Sequence, residues 1–180
     1  QLMCQGDRDA TVYQADYQGI ASCNAINMEE SIKSCPYGCL GFGDCVEACN
    51  FDALHLDIKT GLPIVNDNNC TACGACVTAC PRDIIELRKR NKKDRKIYVS
   101  CINQEKGGIA RKQCKVACIG CGKCVKVCPF EAITLNNYLA YIDADKCKLC
   151  RKCAPECPTG AILEVNFPPR KKQKDNQESA

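Results

Sequence analysis

Tryptophan is absent from this sequence, histidine occurs once and methionine twice, and aromatic residues make up only 6%. Each shortage closes a class of function. With His55 as the only imidazole, histidine-ligated metal centres and His-driven nucleophilic hydrolysis lack their material. His55 falls on an alternating polar position of a hairpin strand and reads as ordinary surface. There is no phosphate-binding glycine loop and no flavin or nicotinamide fingerprint. Gly41 and Gly43 stand between cysteines, where tight backbone turns need glycine. No substrate-transforming site is therefore expected. No stretch approaches the ~18–20 apolar residues of a membrane-spanning helix, and nothing reads as a secretory signal, so the chain as given is expected to be soluble. It opens without methionine, at Gln1, inside what reads as a strand, and is expected to continue upstream.

What is abundant is cysteine, 20 of 180 residues. Three runs share one pattern and end in Cys-Pro: Cys70-x2-Cys73-x2-Cys76-x3-Cys80, Cys118-x2-Cys121-x2-Cys124-x3-Cys128 and Cys147-x2-Cys150-x2-Cys153-x3-Cys157. A fourth is looser: Cys35-x3-Cys39-x5-Cys45-x3-Cys49, followed by Asn50. The triplet-plus-one spacing is that of two-cluster ferredoxins. Three sulfurs on one tight loop face a single point, which suits one cluster and suits separate disulfides badly. Structural zinc sites come as two Cys-x2-Cys pairs instead. Free thiolates at this density imply a reducing and anaerobic setting.

The chain repeats itself. Cys35 to Cys49 matches Cys114 to Cys128, Phe51-Asp-Ala-Leu matches Phe130-Glu-Ala-Ile, and Cys70 matches Cys147. Upstream, Ile20-Ala-Ser-Cys23 is paired with Tyr98-Val-Ser-Cys101. A duplicated unit follows. The expected fold class is α+β, with two tandem two-cluster ferredoxin-like domains over residues 1–95 and 96–167 and a disordered polar tail over 168–180. Each unit is expected to hold a strand ending at Cys23 or Cys101, then a short helix (29–34 or 108–112). A cluster loop and a one- to two-turn helix ending at Cys49 or Cys128 come next. A hairpin (53–57 with 62–66, or 132–135 with 139–143), a second loop and helix, and a last strand (84–87 or 161–165) complete the unit. Between the units, 88–96 carries seven basic residues and one Asp. It is read as a solvated hairpin tip, with docking of an acidic redox partner as the alternative; neutralising Lys89, Arg90, Lys92 and Lys93 would then slow reduction by that partner at low salt.

In two-cluster ferredoxins the last cysteine of each run ligates the other cluster. Four 4Fe-4S clusters are expected on that basis. Cys35, Cys39, Cys45 and Cys80 hold the first; Cys70, Cys73, Cys76 and Cys49 the second; Cys118, Cys121, Cys124 and Cys157 the third; Cys147, Cys150, Cys153 and Cys128 the fourth. The third set is open at one place, because the repeat offers Cys114 where the first uses Cys35. Cys4, Cys23, Cys101 and Cys114 are left over and read as small buried side chains, with a Cys4–Cys23 pair as the alternative. The formal charge of +4 falls to about −4 once four clusters of about −2 are bound, so nucleic acid is not an expected partner.

The segment 35–49, Leu-Met-Cys-Gln-Gly at the start, Tyr17-x-Gly19-Ile20 followed by Cys23, and Tyr-Val-Ser-Cys followed by Arg-Lys-x-Cys resemble the B subunit of the Rnf complex. The resemblance covers about residues 1–166. It departs at Asn50, where the family has proline. It implies a relay of low-potential electrons from reduced ferredoxin into a membrane-bound, ion-translocating ferredoxin:NAD oxidoreductase at the cytoplasmic face of the bacterial inner membrane. NAD chemistry and ion translocation would then belong to other subunits. Membrane contact would come from an upstream segment, since the family's full-length protein carries an N-terminal membrane helix and a further cluster domain, or from partner subunits. A soluble polyferredoxin, or a wiring subunit of a hydrogenase or 2-oxoacid oxidoreductase, shares the clusters and differs in partner. A structural zinc module would differ in metal.

Overall fold

Cysteine loops interrupt this chain so often that the elements among the described residues are short. The computed structural model describes residues 1–14, 17–27, 32–91 and 93–170. Its longest helix, α4 (Gly107–Gln113), has seven residues. In chain order the elements are α1 (Cys23–Asn27), α2 (Asp44–Glu47), β1 (Leu54–Leu56), β2 (Pro63–Val65), α3 (Ala75–Thr78), β3 (Lys96–Val99), α4, α5 (Lys123–Lys126), β4 (Ile133–Asn136), β5 (Leu139–Ile142) and β6 (Ile162–Val165). This is the α+β, ferredoxin-like arrangement expected of the sequence.

Three antiparallel two-stranded sheets organise the units. β1 pairs with β2, Leu54 opposite Val65. β4 pairs with β5, Ile133 opposite Ile142, through a turn with positive φ at both Asn137 and Tyr138, the backbone twist that suits a tight hairpin. β3 pairs with β6, Val99 opposite Ile162. The first unit has the same closure in reduced form, a bridge between Leu2 and Ile85. Each unit has its own core. One gathers Ala53, Leu54, Leu62, Ile84 and Ile85 around Cys39 and Cys45; the other gathers Ile97, Val99, Ile133, Ile142 and Ile162 around Cys118, Cys124 and Cys153.

Several local expectations are corrected. Cys23 does not end a strand; it opens α1. The carboxylate of Asp44 accepts the backbone N–H of Cys23 at 2.6 Å and of Asn24 at 3.0 Å, and the Ser22 hydroxyl at 2.9 Å, so a distant aspartate caps this helix and favours it over a strand. The strand equivalent to β3 is the N-terminal segment instead. Of the helix expected over 29–34, residues 29–31 lie outside the described residues and 32–34 are not helical. The helix expected after Cys150 is a series of turns, because Pro155 cannot donate a helical N–H. The tail from 171 onward also lies outside the described residues.

The basic stretch is not a hairpin tip. Arg88 is almost fully buried, donating from Nη1 to the Ile142 carbonyl at 2.9 Å and from Nε to Glu86 at 3.0 Å, over the Tyr141 ring. Arg90 forks onto Asp94, and Lys96 onto Asp67 at 2.7 Å. Lys89 meets Asp145 in an exposed pair, and Lys92 lies outside the described residues. The stretch therefore ties the two units together, and much of its charge is matched internally. Arg88→Ala is expected to destabilise the cluster-loaded protein by about 2 kcal/mol, since it strands a carbonyl and a carboxylate together, read as a lowered denaturation midpoint. An unchanged midpoint would show that the link is superficial.

Candidate iron–sulfur centres

The four loops share one backbone form. Positive φ recurs at the same two places in each: Gly41 and Gly43 (82° and 88°), Ala72 and Gly74 (57° and 85°), Gly120 and Gly122 (63° and 70°), Leu149 and Arg151 (56° and 65°). Alternating left-handed residues curl the chain so that successive N–H groups face inward, a nest for anionic groups. The second residue of each pair precedes the third cysteine of the run by two places, and Gly43, Gly74 and Gly122 lead into α2, α3 and α5. Arg151 holds this conformation without being glycine. Its guanidinium is anchored on Glu164 at 2.6 and 3.0 Å and over Phe167, which offsets the roughly 1 kcal/mol strain.

Cysteines converge around these loops. Cys118, Cys121, Cys124 and Cys157 line one cavity. Burial and the like charge of Cys118, Cys121 and Cys157 push the Cys124 thiol up to about 11. Cys128, Cys147, Cys150 and Cys153 line another; burial, then repulsion from Cys147, pushes Cys153 to about 12. In the first unit, Cys76 is raised by burial and by Cys70 and Cys49, and Cys73 is exposed on the same loop. Cys49 moves the other way, because the N–H groups of Phe51 and Ala53 hold its thiolate. The crossing of Cys157 to the 118–124 loop and of Cys128 to the 147–153 loop binds the second unit to itself.

The remaining cavity departs from the expected set. Cys39, Cys45 and Cys80 share it with Cys23, and Cys35 is not among its lining residues. Burial, then repulsion from Cys80 and Cys23, pushes Cys45 to about 12. The reason is local. Phe42 occupies the place that Cys121 holds in the second unit, its ring packed edge-on against Tyr17 at 5.7 Å. The loop keeps its wrap but lacks its middle sulfur, and α1 delivers Cys23 in its stead. Hydrogen bonds to Asp44 secure that delivery. Burial alone would raise the Asp44 carboxyl, but the N–H groups of Cys23 and Asn24 outweigh it and hold Asp44 at about 2. Cys35 turns to a separate cavity that it shares with Cys4, Cys101 and Cys114. Cys121 lines the cavity of Cys118, Cys124 and Cys157 instead. Sequence spacing could not place Cys23 beside Cys39, Cys45 and Cys80, since Cys23 belongs to no run.

The donor chemistry fits iron–sulfur clusters. Buried thiols at about 11–12 stay protonated at neutral pH unless a cation compensates the thiolate. Among the described residues no group of three or more His, Cys, Asp or Glu side chains is placed to hold a single metal ion. Four thiols lining one cavity are the donor set of a 4Fe-4S cluster.

Comparison with known proteins agrees. Residues 32–85 and 117–161 each match a 4Fe-4S dicluster domain, and 69–131 match a 4Fe-4S double cluster binding domain. The chain is 44% identical over 162 residues to the B subunit of the Na(+)-translocating ferredoxin:NAD(+) oxidoreductase complex of Acetobacterium woodii, covering 89% of this chain and 47% of that protein. It is 41% identical over 162 residues to the B subunit of an ion-translocating oxidoreductase complex of Methanosarcina acetivorans, covering 89% and 60%. It is 42% identical over 167 residues to the B subunit of the proton-translocating ferredoxin:NAD(+) oxidoreductase complex of Clostridium ljungdahlii, covering 91% and 57%. The chain thus spans about half to three-fifths of the length of these relatives.

Proposed function

We propose, from its likeness to the B subunits of ion-translocating oxidoreductase complexes, that the chain is the electron-relay part of such a complex, taking electrons from reduced ferredoxin and delivering them to the other subunits. The observation that carries this reading is the set of cysteine tetrads lining separate cavities in two ferredoxin-like units. Bound 4Fe-4S clusters supply one-electron exchange at low potential. The proposed ligands are Cys23, Cys39, Cys45 and Cys80; Cys49, Cys70, Cys73 and Cys76; Cys118, Cys121, Cys124 and Cys157; and Cys128, Cys147, Cys150 and Cys153. The relay units are proposed as residues 1–95 and 96–167, although the N-terminal segment also reaches the second unit through the Thr11–Cys114 bridge.

The protein's own part is to fix these sites and tune their fields. Lys33, 3% exposed, donates to the Cys39 carbonyl at 2.6 Å, setting a cation beside the first tetrad. No described helix is long and apolar enough to cross a membrane; contact at the cytoplasmic face of the membrane is proposed to run through partner subunits. NAD chemistry and ion translocation fall to those partners. Anaerobic iron and sulfide analysis with redox-titrated EPR tests the reading. Expected are at least about 16 iron and 16 sulfide per chain, with cubane signals on reduction by ferredoxin. Zinc in place of iron would end the proposal, and recovery from membranes without other subunits of the complex would favour a free polyferredoxin.

A further inference from the structure

We propose that Cys4, Cys35, Cys101 and Cys114 form a fifth 4Fe-4S site, placed between the two units. The inference rests on the iron–sulfur reading above and adds a centre to it. These four cysteines line one cavity, together with Gly6, Thr11, Ser100 and Asn103. A methyl group at Gly6 would sit 2.7 Å from Thr11 Oγ1, 3.2 Å from Cys114 Sγ and 3.7 Å from Cys4 Sγ, so a larger residue would crowd the wall on which these two sulfurs lie. Asn103, 1% exposed, ties the other two: its backbone N–H points to Cys101 Sγ at 3.5 Å and its Nδ2 to Cys35 Sγ at 3.4 Å. Ser100, 2% exposed, lines the same cavity, and its buried hydroxyl has no partner among the described residues. An acceptor in the cavity would complete it.

Symmetry supports the assignment. Leu2 opposite Ile85 and Val99 opposite Ile162 are the same register in the two repeats, so Cys4 and Cys101 occupy equivalent strand positions. Cys35 and Cys114 are the repeat counterparts that open the two matching runs. Each unit therefore contributes one strand cysteine and one loop cysteine to the same cavity. The exchange in the first unit follows from this. Cys35 is committed here, and Cys23 replaces the sulfur that Phe42 denies the loop. All 20 cysteines are then used, in five sets of four.

Position suggests the role. Cys4 Sγ accepts the backbone N–H of Cys39, a ligand of the first tetrad, at 3.5 Å. Cys101 lies close enough to Cys118, a ligand of the third, for the Cys118 N–H to favour the Cys101 thiolate. Ligands of the fifth site thus touch the neighbouring centre on either side, and one-electron transfer across the boundary between units would pass here.

The test is metal and sulfide counting, with native mass spectrometry, on the anaerobically purified, cluster-loaded chain. Expected are about 20 iron and 20 sulfide, falling to about 16 of each in Cys114→Ser and likewise in Cys4→Ser, which alters a different segment. The wild-type count stands even if a variant fails to fold. A count of 16 with intact wild-type EPR, or 16 iron plus one zinc, overturns the fifth site and leaves the relay reading standing. About 20 iron retained in both variants overturns the assigned ligands. A chain that holds no iron overturns both readings.

Discussion

Stripped of iron by a chelator under anaerobic conditions, the chain is expected to lose its cooperative fold. Its secondary structure cannot sustain it alone. Among the described residues the longest helix has seven residues, well below the ~12–15 at which an isolated helix is even marginal, and every sheet has two strands, the least stable form. The two cores are small, and sulfur is woven through both. Metal binding by a four-thiolate site contributes on the order of 10 kcal/mol, whereas a whole small domain is stable by roughly 5–15 kcal/mol. Losing several such sites removes more than the rest of the fold supplies. Far-UV circular dichroism of iron-free protein should show no cooperative thermal transition, and cluster-loaded protein should show one. A sharp melt without iron would refute this and return the structural role to the apolar core.

Cys23→Ala is expected to remove about four iron and four sulfide and to destabilise the first unit by several kcal/mol. If Cys35 were the ligand, as spacing suggests, the change would leave the count unchanged. A second substitution sharpens the test. Phe42→Cys in the Cys23→Ala background places a sulfur midway between Cys39 and Cys45, which rebuilds the regular x2-x2 spacing on a loop whose backbone already matches that of the second unit. It should restore the four lost iron. Failure to restore them, with the chain folded and the other centres intact, would mean that the loop cannot present a sulfur at position 42 and that Cys23 does more than fill a gap.

The three regular cysteine runs, the duplication, both hairpins and the α+β class were legible in the sequence, because each is encoded by residues close together in the chain. A Cys-x2-Cys-x2-Cys loop has one practical geometry, and alternating apolar residues around an Asn-rich turn have one pairing. The crossing of the last cysteine of each run was expected from the two-cluster ferredoxin pattern. What only the tertiary structure decided concerns groups that meet from afar. Nothing local marks Cys23 as a partner of Cys39, Cys45 and Cys80; Asp44 brings it there by capping a helix that the sequence pattern reads as a strand. Nothing marks 88–96 as a tie between units, since its partners Asp67, Ile142 and Asp145 lie outside it. Cys4, Cys35, Cys101 and Cys114 come from four separate segments, and only the packing of one unit against the other faces them toward one cavity. Spacing determines which sulfurs share a loop; packing determines which loops and strands share a centre.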